Sequence, residues 1–92
     1  MKTKYLPIGS VVKLEGGTKP VMVTGYCAVS EETGDRIFDY RGVPFPEGVI
    51  TEKGAVLFDN SMIVEVLHTG WECDESVDFL DKLEIIVEEH KK

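Results

Sequence analysis

No stretch of this chain approaches the roughly 18 consecutive apolar residues that a membrane-spanning helix needs. The first ten residues, MKTKYLPIGS, place no apolar run behind their lysines, so no general export signal is expected. Two cysteines, Cys27 and Cys73, are too few for a secreted disulfide framework, and free thiols in a reducing cytoplasm are expected instead. No internal repeat and no low-complexity linker divides the 92 residues. A chain of that length closes about one hydrophobic core. The expectation is therefore a single domain over 1–92, β-rich from 6 to 70 with a helix over 74–90.

Basic residues are scarce, and the charge is uneven. The chain holds 10 Lys and Arg against 17 Asp and Glu, a net −7. Residues 72–92 carry eight of those acids against three lysines, so net −5 sits in the last part of the chain and only −2 in the rest. Nucleic-acid binding normally requires a basic patch or stripe. Lys13, Lys19, Arg36 and Arg41 are scattered among acids, which speaks against DNA or RNA as a partner.

Chemistry-bearing constellations are missing as well. His68 and His90 are separated by the whole C-terminal segment and have no partner at catalytic or metal-ligand spacing. Cys27, Cys73 and His68 contain no CxxC or HxxxH pair to anchor zinc. Adjacent carboxylates such as Glu31-Glu32 and Glu88-Glu89 project in different directions and make poor acid and base pairs. The glycines of Glu15-Gly16-Gly17-Thr18-Lys19 lack phosphate-loop spacing, and a strand follows where a helix should begin. Ser10, Ser30, Ser61 and Ser76 have no nucleophile-elbow context. No residue argues for an enzyme, a metal or a cofactor.

What the chain does have is a dense run of backbone constraint, FDYRGVPFPEGVI, from Phe38 to Ile50. Pro44 and Pro46 fix their own φ angles and push Val43 and Phe45 toward extended geometry. Gly42 and Gly48 have the freedom to reverse the chain at either end. A short, rigid, extended arm carrying Tyr40, Val43 and Phe45 in fixed directions is expected. It serves either as a clasp on the core or as a contact surface.

Around that arm the apolar runs are short and rich in β-branched residues. Ser10–Leu14 and Val21–Val29 flank Gly16-Gly17 and predict an antiparallel hairpin, with Gly25 marking a bulge. Glu31–Asp35, with a left-handed Gly34, predicts a second hairpin into 36–40. Ala55–Phe58 and Met62–Leu67 read as strands on either side of Asp59-Asn60-Ser61, where a single helical turn fits. No Gly or Pro occurs from Asp74 to Lys92, and Asp74 is the expected N-cap of a helix. On that helix Phe79, Leu80, Leu83, Ile86 and Val87 fall within about 120° of arc and predict one buried face. Val77 and Ile85 lie outside the stripe. Trp71, at the junction before the helix, reads first as a hydrophobic staple and second as an exposed binding anchor. The fold class that follows is α+β: a small, strongly curved antiparallel sheet or SH3-like barrel of about five strands with one C-terminal amphipathic helix.

The blocks LPIGSVVKLEGG (Leu6–Gly17), DYRGVPFPEG (Asp39–Gly48), LFDNSMIVEVLHTGW (Leu57–Trp71) and FLDKL (Phe79–Leu83), in this order, resemble the domain-of-unknown-function family 4176 of Gram-positive bacteria. Phe45 and Trp71 stand where other aromatics are usual in that family. The resemblance implies a small cytoplasmic protein encoded beside LXG toxins of type VIIb secretion systems, acting as a targeting factor or chaperone for a toxin precursor. It implies no catalytic residues. The expected function is thus a non-enzymatic protein-interaction module, with an immunity protein or a small ligand-binding or enzymatic barrel as alternatives. Its partner is expected to be a protein, either a toxin precursor or a small helical secretion factor, with no membrane insertion. Tyr40, Val43, Phe45, Trp71, Val77 and Ile85 are the candidate contact residues.

Overall fold

A computed structural model describes residues 5–29, 37–51 and 54–91, residues 90 and 91 in backbone only. Its elements are β1 (Val11–Leu14), β2 (Val21–Val29), β3 (Ile37–Pro44), β4 (Val56–Phe58), β5 (Ile63–His68) and α1 (Asp74–Lys91), with one turn of 3-10 helix over Asn60–Met62. The five strands form one antiparallel sheet in the order β4-β3-β2-β1-β5. The expected second hairpin is present as the β2–β3 pair, whereas its turn and Gly34 lie outside the described residues.

Connectivity forces this sheet to curl. β4 and β5 are its opposite edges, about 19 Å apart if five strands lay flat. Five Cα steps join Phe58 to Ile63, two within the 3-10 turn at about 2 Å and three extended at about 3.3 Å, so the link covers at most about 14 Å. The edges must approach one another. No β4–β5 ladder joins them, so the sheet stays open, and of the two architectures expected the curved sheet is the one found.

The concave side holds the core: Tyr5, Val12, Val21, Val23, Tyr40, Phe58 and Leu80. Within β1, Val12 packs there while Val11 faces the other way, as strand alternation requires. The register shift between Val23 and Gly25 is the bulge expected at Gly25. Gly42 answers to a different constraint from the one its neighbours in sequence implied. It sits within β3, where a Cβ would come 2.6 Å from both the Met22 carbonyl oxygen and Val21 Cγ1, so it permits close approach rather than reversal. Gly48, at φ +74, does reverse the chain.

Tyr40 organises the interior. Its ring stacks on Phe58 at 5.1 Å and meets Tyr5 and Tyr26 edgewise or tilted at 5.9 and 6.0 Å. Its hydroxyl accepts from the Leu6 N–H at 2.9 Å and donates to Asn60 Oδ1 at 2.6 Å. The Tyr26 hydroxyl donates to the Leu6 carbonyl, so two tyrosines hold the backbone of one residue. Beside them, Asp39 N–H donates to Asp59 Oδ1 while Asn60 N–H donates to Asp39 Oδ2, both at 2.9 Å. This reciprocal pair anchors the 3-10 turn to β3. It also explains why Asp59 supplies no side-chain cap there: its carboxylate is committed to β3.

Candidate functional site

The contact residues expected from sequence separate into three groups. Tyr40 is fully buried and Val43 nearly so, which makes both of them packing residues and removes them from any contact surface of this fold. The physical reason is β3 itself, which is extended through Pro44 and pairs on both sides, carrying Tyr40 inward. Beyond Pro44 the arm turns rather than extends. Phe45 N–H donates to the Pro20 carbonyl at 2.9 Å, Gly48 N–H to the Pro44 carbonyl at 2.7 Å, and Lys19 pairs with Glu47 at 2.8 Å. The Lys19 ammonium, by hydrogen bonding, holds the exposed Glu47 carboxyl below its ordinary pKa. Phe45 is left 44% exposed and lines an open groove of about 490 Å³ with Val11, Pro20, Met22 and Leu67. The arm is therefore clasp at Tyr40 and surface at Phe45.

Trp71 departs furthest from expectation. It does not staple the helix to the sheet; it is 81% exposed. Its position is fixed by the residues before it. Ser10, fully buried, donates through Oγ to the Pro7 carbonyl at 2.8 Å and accepts from the Gly70 N–H at 3.0 Å. A Cβ on Gly70 would fall 2.1 Å from the Ile8 carbonyl oxygen, so only glycine lets the chain leave β5 against Ile8. The indole emerges next to that contact. With Pro7, Ile8, Tyr26, Ser76, Phe79 and Leu80 it lines a second open groove of about 330 Å³.

The helix is rolled relative to expectation. Leu80 is buried and Leu83 packs against the core, but Phe79 and Ile86 are 53% and 60% exposed. Only Leu80 and Leu83 reach the core, with Val77 and Val87 half-buried on the same side, and the far flank of the predicted stripe is left outside. Val77 is thus half-buried, and Ile85 faces solvent. The N-terminus also shifts by one residue: Asp74 is already helical, and Ser76 Oγ accepts from the Cys73 N–H at 2.9 Å, the return half of a capping box. Phe79 meets Tyr26, a ring packed against the core, at 6.3 Å between centroids.

Ile8 and Phe79 were not legible as site residues. Gly70 directly before a lone tryptophan was the available signal, since a close backbone approach there pushes the next side chain outward. Polar groups at this groove are committed internally: Tyr26 Oη to Leu6, Ser76 Oγ to Cys73. Among the described residues that line it, no set of polar groups converges to orient a small ligand, which is what small-molecule sites require. Among the described residues, no group of three His, Cys, Asp or Glu is placed to hold a metal ion. Cys27 and Cys73 are not joined by a disulfide. No helix of the described residues is long and apolar enough to cross a membrane.

Fold and site together define a small α+β domain, an open curled sheet with one helix, whose apolar grooves carry exposed aromatic side chains. The chain belongs to the DUF4176 family, a domain of unknown function, whose family model matches residues 5–79. That span includes all five strands, Trp71 and Phe79. No curated protein and no solved structure matches the chain.

Proposed function

We propose that the chain is a non-enzymatic protein-interaction module, acting in the cytoplasm as a targeting factor or chaperone for an LXG-type toxin precursor of a type VIIb secretion system. The observation that carries the interaction reading is Trp71, the only tryptophan, standing 81% exposed over an apolar groove. An indole offers on the order of 200 Å² for burial, so covering it removes roughly 5 kcal/mol of unfavourable hydration before the costs of association. Exposed aromatics fixed by rigid backbone are the usual anchors of interfaces. The toxin as partner rests on the family resemblance.

The test is co-purification with the LXG toxin encoded beside this chain, at low salt. A stable complex is expected, weakened at least about tenfold by Trp71→Ala, the size of a hot-spot loss. Absence of a complex with the wild-type chain overturns the reading. Export assays separate the roles, because a targeting factor changes toxin stability or secretion whereas an immunity protein protects cells from the toxin domain.

A further inference from the structure

The two grooves differ in what surrounds them. At the Phe45 groove, the nearby acid Glu47 is already matched by Lys19. The segment from Trp71 to Phe79, WECDESVDF, carries Glu72, Asp74, Glu75 and Asp78 and no cation. All four acids are exposed, and none has an ion-pair partner among the described residues. Asp74 and Glu75 lie in the first turn, where the helix dipole favours them. Glu72 precedes the helix and Asp78 lies beyond that turn, so their charge faces solvent without such compensation.

The apolar strip has a direction as well. Phe79 and Ile86 are seven residues apart on α1, within about 20° of one another around the axis and roughly 10 Å apart along it. From Trp71 and Ile8 at the N-terminal end, the exposed apolar surface therefore continues along one flank of the helix, with the exposed Lys82 beside it between Phe79 and Ile86. A strip parallel to a helix suits a second helix laid beside it, which reads such a surface through anchors three, four and seven residues apart.

We infer that the Trp71–Phe79 groove receives a basic amphipathic helix of a partner protein: apolar side chains enter between Trp71, Ile8 and Phe79, and Lys or Arg on its margins face Glu72, Glu75 and Asp78. This rests on the interaction reading above and adds the chemistry of the partner segment. Charge complementarity selects this occupant over a second copy of the chain, since in two copies the four acids of the strip would outnumber its one cation, Lys82, and leave a net repulsion.

The lone tryptophan is the reporter. The full chain is titrated with synthetic peptides of about 18 residues, long enough to hold a helix. One has a leucine face and a lysine face, one replaces every lysine with glutamate, and one replaces every leucine with serine. The leucine–lysine peptide is expected to shift Trp71 emission to the blue and to protect it from acrylamide, with affinity falling as salt rises. Both controls are expected to bind at least about tenfold more weakly. Phe79→Ser and, on the opposite wall, Ile8→Ser should each weaken binding similarly while far-ultraviolet circular dichroism stays native; Glu72→Gln with Asp78→Asn should weaken it and flatten the salt dependence. Equal binding of the glutamate peptide, equal binding of the serine–lysine peptide, or full binding by both wall variants overturns the inference. If the toxin co-purifies and the leucine–lysine peptide fails, the interaction module stands and the basic-helix partner falls. If the peptide binds and the toxin does not, the groove chemistry stands and the toxin assignment falls.

Discussion

The three tyrosines and the exposed aromatics of this molecule make opposite choices. Tyr5 and Tyr40 are buried and Tyr26 half-buried, each carrying a polar tip into an apolar interior, while Trp71, Phe79 and Phe45 stand in water. Hydrophobicity alone would sort them the other way. The difference is that the interior supplies partners for the hydroxyls: Leu6 and Asn60 for Tyr40, the Leu6 carbonyl for Tyr26, and contact with Cys27 for Tyr5. A ring whose polar atom is satisfied both packs and positions backbone. The outer aromatics position nothing inside the fold, and their place is set by glycine and proline geometry around them.

The comparison breaks most forcefully at Tyr40. Tyr40→Ala removes the ring stacked on Phe58 and both hydrogen bonds, and a loss of about 3–5 kcal/mol is expected. Tyr40→Phe keeps the ring and removes only the hydroxyl, leaving the Leu6 N–H without its acceptor, for a loss of about 1–3 kcal/mol. Urea unfolding checks both, read as a lower midpoint at unchanged slope. A Tyr40→Phe protein as stable as the parent would mean that the hydroxyl network is incidental to burial.

Alkali tests the same network without substitution. Burial, and for Tyr26 the neighbouring Tyr40, pushes the Tyr26 phenol up from 10.0 to about 12; burial likewise raises Tyr40 to about 12, against the opposing hydrogen bond that its oxygen accepts from the Leu6 N–H. Tyr5 is raised too, chiefly by burial and then by Cys27. A phenol with a higher pKa folded than unfolded keeps its proton longer in the native state. The stability it contributes is therefore complete below pH 10 and is lost as pH rises toward 12. Tyrosinate absorbance and loss of the circular dichroism signal should rise together over that window, with all three tyrosines of the chain ionising as the fold opens. Ionisation near pH 10 with native dichroism would show that the rings are solvated.

Much of this interior was legible in the sequence, and the surface much less so. β-branched runs and the Gly16-Gly17 pair predicted strands, and the run Met62–Leu67, read as a strand, is one over Ile63–His68. The Asp39–Asn60 lock escaped because its partners lie 21 residues apart and each looks, alone, like turn chemistry. Tyr40 and Phe45 stood undecided because two positions in one arm are separated by a turn that lies after Pro44 rather than at Gly42. Helical periodicity located an apolar stripe but not its roll. That angle depends on how wide a line the sheet accepts, a property of tertiary packing that no window of α1 contains.

Trp71→Ala is the smallest expected effect on the fold and the sharpest test of the contrast. The indole is 81% exposed, and the hydrogen bonds that place it belong to Ser10 and Gly70 rather than to the ring. Truncation leaves no cavity and no buried polar group unpaired, so the change in unfolding free energy should stay within about 0.5 kcal/mol. Unfolding must then be followed by circular dichroism, since the chain loses its only tryptophan. A loss of 2 kcal/mol or more, about the cost of removing a packed side chain, would mean that Trp71 is a staple after all and that the groove is part of the core. A negligible loss, combined with weakened capture of a partner, separates stability from recognition at a single residue: the same aromatic class that holds the fold together at Tyr40 would serve only what lies outside it at Trp71.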